Sequence, residues 1–180
     1  MDPARLVFLD ESGSQTSMTR TRGRAPRGQR VVAKVPGGHW KIVTMISAVR
    51  TSGPFAAASM VGATDSEVFR TYVCEVLAPQ LRSGDVVVMD NLTPHKASGV
   101  REAIESVGAE LRYLPPYSPD FNPIENMWSK VKGRLRSLAA RSIESLHDAI
   151  GTALATVTPD DCLGFFRHCG YFATSNGAPV

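Results

Sequence analysis

Three carboxylates stand where a hard divalent cation could be held. Asp10 ends the apolar run Leu6-Val7-Phe8-Leu9, and Asp90 ends a second, Val86-Val87-Val88-Met89. Glu125 follows Asn122-Pro123-Ile124, a helix-start signature, with 34 residues between it and Asp90. Two acids at strand ends and one at a helix start can meet at one point in space, and a purely oxygen donor set suits such an ion. If the two apolar strands are parallel neighbours, their carboxyl ends lie side by side, at the edge where open α/β sheets bind ligands. Two carboxylates there repel each other, and a cation between them resolves the conflict.

Each acid has a plainer role open to it. A lone Asp at a strand end serves equally as a turn or N-cap residue. Glu125, three residues after Asn122, could be the Glu of a capping box. Asp120 competes for the third position from the preceding loop. Glu11 should point to the opposite side of an extended chain from Asp10. Asn91 and His95 follow Asp90 closely enough to polarise a water or touch a phosphate, or merely to cap the next helix. His95 lacks the spacing of a zinc site, so it belongs behind the acids rather than among the ligands.

The surrounding pattern supplies elements to hold these groups. Residues 5–9 and 86–89 read as short buried strands, the first broken by Asp10-Glu11-Ser12-Gly13. Residues 12–28 form a loop; Gly23 and Gly28 imitate a phosphate-binding loop, but its Lys and Ser/Thr are missing. Residues 31–35 and 40–49 read as a hairpin around Pro36-Gly37-Gly38-His39, and residues 54–61 carry a fainter strand signal. Thr64 and Glu67 frame a capping box for a helix ending near Leu81. A helix over 96–107 precedes a strand over 110–114. Helices after Asn122, over 143–157 and after Thr158 complete the chain, with 173–180 as a tail. The alternation predicts one α/β domain with a mixed sheet and helical crossovers.

Bulk composition narrows the partners. A chain of 180 residues with 43% hydrophobic and 21% charged content is ordinary for one globular domain. No apolar run approaches a membrane span, and no signal-peptide layout opens the chain. Cys74, Cys162 and Cys169 form no framework and read as free thiols in a cytoplasmic protein. The net charge of +3 hides an asymmetry: residues 12–64 contain no Asp or Glu but eight cations, Arg20, Arg22, Arg24, Arg27, Arg30, Lys34, Lys41 and Arg50. A basic segment beside a carboxylate cluster suggests a polyanion. Lys130, Lys132, Arg134 and Arg136 follow Glu125 on its helix and are further candidates for phosphate contact. Ordinary surface charge is the competing reading for both groups.

Three blocks carry a resemblance: Leu9-Asp10-Glu11-Ser12-Gly13; Val88-Met89-Asp90-Asn91-Leu92 with His95; and the run from Tyr117 through Pro119-Asp120-Phe121-Asn122-Pro123-Ile124-Glu125 to Asn126, with Trp128. Together, in this order and at this spacing, they resemble the DDE catalytic domain of bacterial insertion-sequence transposases in the mariner-like superfamily. Arg24-Ala25-Pro26-Arg27-Gly28 and Phe166-Arg167-His168-Cys169-Gly170-Tyr171 look like the same family. The resemblance covers about residues 5–172. It implies an RNase H-like fold of the retroviral-integrase type, with a five-stranded mixed sheet flanked by helices. It implies a catalytic and metal-binding triad of Asp10, Asp90 and Glu125 and two Mg²⁺ (or Mn²⁺) ions. It also implies cleavage at transposon ends, strand transfer into target DNA, a homodimer in the active complex and a nucleoid-associated site of action. Full-length relatives carry helix-turn-helix modules before this domain. None precedes residue 5 here, so end recognition is expected from elsewhere, for example a separate polypeptide. The alternatives are a non-catalytic DNA-binding or dimerisation remnant of a transposase, or another RNase H-like nuclease.

The two readings of Glu125 separate experimentally. Gln can replace Glu in a capping box but is a poor substitute for a carboxylate on a metal. Glu125→Gln is expected to leave the melting temperature almost unchanged while abolishing metal-dependent activity. Retained activity would leave only the capping role.

Overall fold

The computed structural model of the chain describes residues 2–172. Five strands form one sheet: β1 (Leu6–Gln15), β2 (Ile42–Arg50), β3 (Gly53–Val61), β4 (Val86–Met89) and β5 (Glu110–Tyr113). Their spatial order is β3-β2-β1-β4-β5. β1 and β2, like β2 and β3, run antiparallel, whereas β4 lies parallel to β1 and β5 parallel to β4. This is the expected five-stranded mixed sheet.

Helices cover both faces. On one side lie α1 (Ser66–Tyr72), continued by a π-helical turn at Val73–Leu77, and α2 (Val100–Ser106). On the other lie α3 (Pro123–Leu138), α4 (Ile143–Leu154) and α5 (Pro159–His168). The alternation of β1 feeds two cores: Val7 and Leu9 pack beneath α1 and α2, and Leu6 and Phe8 beneath α3 to α5. Burial on both faces explains why β1 and β4 read as unbroken apolar runs.

Several expectations need correction. β1 does not break at Asp10; it continues to Gln15, because β2 pairs with it from Phe8 to Gln15. Polar residues survive there through cross-strand bonding, as in Ser14, whose hydroxyl donates to the Val43 carbonyl at 3.1 Å. Residues 31–35 form no strand: β2, their expected hairpin partner, has β1 on one edge and β3 on the other, and Val32 is 85% exposed. The third antiparallel strand is instead the fainter one, β3, with a register shift opposite Ile46 and Ala48. Asp65 rather than Thr64 caps α1, its carboxylate accepting from the Glu67 and Val68 amides. The helix expected from Lys96 starts at Val100, after a 3₁₀ turn at Pro94–Lys96 and Gly99 with a φ of +91°. The tail over 173–180 lies outside the described residues. No described helix is long and apolar enough to cross a membrane.

At the end of the sheet remote from Asp10, Arg50 of β2 meets Asp85, just before β4, at 3.1 Å, and both side chains are buried. Asp85 also accepts from the Arg82 amide at 2.9 Å. Removing one member strands a buried charge. Asp85→Ala is therefore expected to lower the unfolding free energy in urea by about 3–5 kcal/mol. A loss below about 1 kcal/mol would mean that solvent already screens the pair.

Candidate active site

The parallel pairing of β1 with β4 runs Leu6 to Val86, Val7 to Val87 and Phe8 to Val88. Carried two residues further, the same register sets Asp10 beside Asp90 at the carboxyl edge of the sheet. Glu125 lies in the first turn of α3, which buries Ile124, Met127, Trp128, Val131 and Leu135 against the sheet. Asp10, Asp90 and Glu125 line one cavity of about 370 Å³, together with Asn91 and Asn122. Its other wall is apolar, built from Leu92, Leu114 and the proline-rich run through Tyr117. Asp120 sits in a 3₁₀ turn and is not part of the lining.

The local roles weighed for Glu125 are not made. Asn122 begins α3 without any side-chain capping bond, and its side-chain oxygen is buried without a partner. The Asn122 amide donates to the Pro119 carbonyl rather than to Glu125. The Glu125 carboxylate is thus left to the cavity.

Asp10 is 9% exposed, and its carboxyl is pushed up to about 7. Burial is the main cause; the negative charges of Glu125 and Asp90 add to it, and the Glu11 amide, donating at 2.7 Å, opposes it. Asp90 is half-buried. Burial alone would raise its pKa, but His95 and the Leu92 amide outweigh that and hold it below the usual carboxylate range. His95 is fully buried, with Nδ1 at 2.6 Å from Asp90 Oδ1 and Nε2 at 3.5 Å from Glu11 Oε2. Neither ring nitrogen makes a hydrogen bond of good geometry, so these contacts are ion pairs. Burial disfavours the imidazolium, yet the two carboxylates push His95 up to about 9. Asn91 is exposed at the cavity rim.

The donor set fits a hard divalent ion: carboxylate oxygens only, converging on one cavity, with Asp10 pushed up to about 7 chiefly by its burial. As placed, no three described His, Cys, Asp or Glu side chains stand close enough to hold a single ion. Mutual repulsion of the acids is a sufficient cause of that spread.

The basic candidates are scattered. Arg20, Arg22, Arg24, Arg27 and Arg30 are all exposed on the long β1–β2 connection. Its base is closed by the Thr16 and Lys41 backbones, and Arg141 donates to the Thr16 and Met18 carbonyls. On α3, Lys130 is tied to Asp161 of α5. Lys132 and Arg136 share the helix face of Glu125, being seven and eleven residues on, whereas Arg134 points away. Sequence reasoning missed the partners of Glu11 and the anchoring role of Arg141. Alternation showed which way Glu11 points, but no pattern showed what it would meet.

A mixed sheet in this order, flanked by helices on both faces, is an RNase H-like fold of the integrase type. The chain belongs to the DDE superfamily endonuclease family, which it matches over residues 5–147. Solved structures share the fold. Mos1 transposase, in a paired-end complex with the left transposon end, superposes with a TM-score of 0.75 at 16% identity, covering 94% of this chain and 53% of that one. The catalytic domain of Mos1 mariner transposase gives 0.67 at 16% identity, covering 92% and 77%. The same catalytic domain with raltegravir and Mg gives 0.68 at 16% identity, covering 94% and 80%. This chain thus spans about half the length of the first of these proteins. No curated protein matches it.

The raised pKa of Asp10 has a measurable consequence. Folded Asp10 takes up a proton more readily than the unfolded chain does at its ordinary 3.8, so ionisation penalises the folded state. The penalty is absent below about pH 4, grows up to about pH 7 and is constant above. Without metal, Asp10→Asn should raise the melting temperature at pH 8 by up to roughly 8–16 °C, for about 4 kcal/mol. At pH 4 it should change little. A gain of equal size at both pH values would contradict the repulsive site.

Proposed function

We propose that the chain is the catalytic domain of a transposase, cutting DNA at transposon ends and joining the cut end to target DNA. The convergence of Asp10, Asp90 and Glu125 on one cavity, within a DDE superfamily endonuclease, carries this reading. The structural neighbours support the choice of DNA, since they include Mos1 transposase in a paired-end complex with the left transposon end and in a strand transfer complex.

In this reading Asp10, Asp90 and Glu125 hold two Mg²⁺ or Mn²⁺ ions. Bound there, such ions supply Lewis-acid activation of an attacking oxygen and stabilisation of the leaving one. The chain's own part is positional. Asp10, pushed up to about 7 chiefly by burial, would hold a cation through its carboxylate, and the Glu11 amide keeps one of its oxygens oriented. Asp90 is already ionised beside His95. Glu125 is delivered by a helix that its own buried face locks to the sheet. In the first reaction water attacks the phosphorus and the P–O3′ bond breaks, leaving a free 3′-hydroxyl. In the second that hydroxyl attacks a target phosphodiester and displaces a target 3′-oxygen. No side chain forms a bond to DNA.

Lys132 and Arg136 lie roughly 10 and 16 Å along the helix axis from Glu125. They could follow a DNA backbone leaving the cavity, and the exposed arginines at 20–30 provide a second basic surface. Such contacts are to phosphates and largely independent of sequence. A homodimer and a separate helix-turn-helix recognition polypeptide belong to the same proposal.

Nicking of supercoiled DNA in Mn²⁺ tests it, with wild type and Asp90→Asn purified identically. Nicking by wild type alone is expected. Equal nicking by both would point to a contaminant and remove the support for Asp90, whereas an inert wild type that still binds DNA in the presence of its recognition module would favour the non-catalytic remnant. A preference for RNA–DNA hybrids in a substrate panel would favour another RNase H-like nuclease. In parallel, replacing Arg24, Arg27 and Arg30 by Ala should weaken duplex binding and flatten its log–log salt dependence by up to about three units. An unchanged slope would remove the loop from the interface.

A further inference from the structure

β1 carries a carboxylate to each face of the sheet in consecutive residues. Asp10 goes to the cavity side, in line with Leu6 and Phe8; Glu11 goes to the α1–α2 side, in line with Val7 and Leu9. Glu11 then lies where an apolar residue would serve packing better. One of its oxygens, Oε1, is buried with no partner among the described residues. Leaving such an oxygen unpaired costs stability. The other, Oε2, faces His95 Nε2 at 3.5 Å.

His95 is held from every side. Its ring lies against Phe69 of α1, with ring centroids 4.3 Å apart. Its carbonyl accepts from the Tyr113 hydroxyl at 3.1 Å. Its Nδ1 reaches Asp90 Oδ1 at 2.6 Å, and that same oxygen accepts from the Leu92 amide at 3.1 Å. Asp90 Oδ2 has no protein hydrogen bond among the described residues. The imidazole therefore joins a carboxylate behind the sheet to a carboxylate lining the cavity, and engages only one oxygen of the latter.

We propose that Glu11 and His95 are positioning residues: Glu11 anchors His95 from the far face of β1, and His95 fixes Asp90 so that Oδ2 is left for what the cavity binds. This rests on the metal-binding reading of the site. Partners that orient a ligating group typically change metal affinity or activity 10- to 100-fold when removed, as known for carboxylate–histidine pairs behind metals. Here the order is turned round, with the histidine behind a carboxylate and a second carboxylate behind the histidine.

The claim is one of coupling, so a double-mutant cycle tests it. Glu11→Gln, His95→Gln and the double variant keep most of the side-chain volume. Mn²⁺ dissociation constants would be measured by electron paramagnetic resonance, alongside the Leu92 amide resonance of the metal-free proteins. Glu11→Gln should weaken Mn²⁺ binding about 10-fold in the otherwise wild-type chain. In the His95→Gln background it should change binding by less than about twofold. The Leu92 amide should move in both single variants, since it reports the Asp90 oxygen that His95 holds. An equal loss in both backgrounds would mean that Glu11 acts by its charge alone and would overturn the proposal. So would an unmoved Leu92 resonance. If wild type binds no Mn²⁺, the metal reading falls, and the Leu92 resonance alone decides the positioning claim.

Discussion

The site depends on one constraint: β1 and β4 pair in parallel, in a register that sets Asp10 beside Asp90. Two carboxylates at the edge of a buried sheet oppose folding, through desolvation and mutual repulsion. They are held there by the apolar residues just before them. Val7, Phe8, Leu9, Val87 and Met89 have no exposed surface, and burial of each such side chain contributes roughly 1.5–3 kcal/mol. The strands cannot slip by one residue to relieve the acids without turning these side chains to the wrong face. The core on the Phe8 face fixes the third acid, because α3 is docked there by Ile124, Met127, Trp128 and Val131 within its first three turns.

Much of this was legible in the sequence, for a reason particular to central strands. Buried on both faces, 6–9 and 86–89 read as continuous apolar runs, so the acids that end them are conspicuous. Asn122-Pro123 marked the start of α3 to the residue. What failed in the antiparallel half of the sheet was the extent of β1 and the hairpin partner given to β2. Polar residues of β1 such as Ser14 are stabilised by bonds to β2 that no local pattern reveals, and residues 31–35 have strand character, but β1 and β3 already occupy both sides of β2. β3 is rich in alanine, which is why residues 54–61 gave only a faint signal for a nine-residue strand. The site divided in the same way. Strand ends and helix starts gave Asp10, Asp90 and Glu125. The partners of Glu11 depend on how α1 and the 94–96 turn pack across the sheet, which is tertiary information.

Charge is distributed with the same economy. Acids cluster at the carboxyl edge of β1 and β4, whereas the cations on α3 are sorted by helix geometry. Lys130 is drawn to Asp161 and serves the α3–α5 interface, while Lys132 and Arg136 remain on the face that Glu125 shares. The arginine-rich connection is pinned only at its base, by Thr16, Lys41 and Arg141, and presents its cations to solvent. In the proposed reading, the acidic cavity does the chemistry, and the exposed arginines and the free cations of α3 supply phosphate contacts.

The central claim is that the three acids are where they are in order to share divalent ions. The most direct measurement is a crystal structure of the wild-type chain soaked in Mn²⁺, with anomalous difference density recorded near the manganese edge. The account predicts anomalous peaks in the cavity, within carboxylate coordination distance of Asp10, Asp90 and Glu125, with the acids drawn together around them. Peaks only elsewhere on the protein, with the three carboxylates still apart at saturating Mn²⁺, would contradict it.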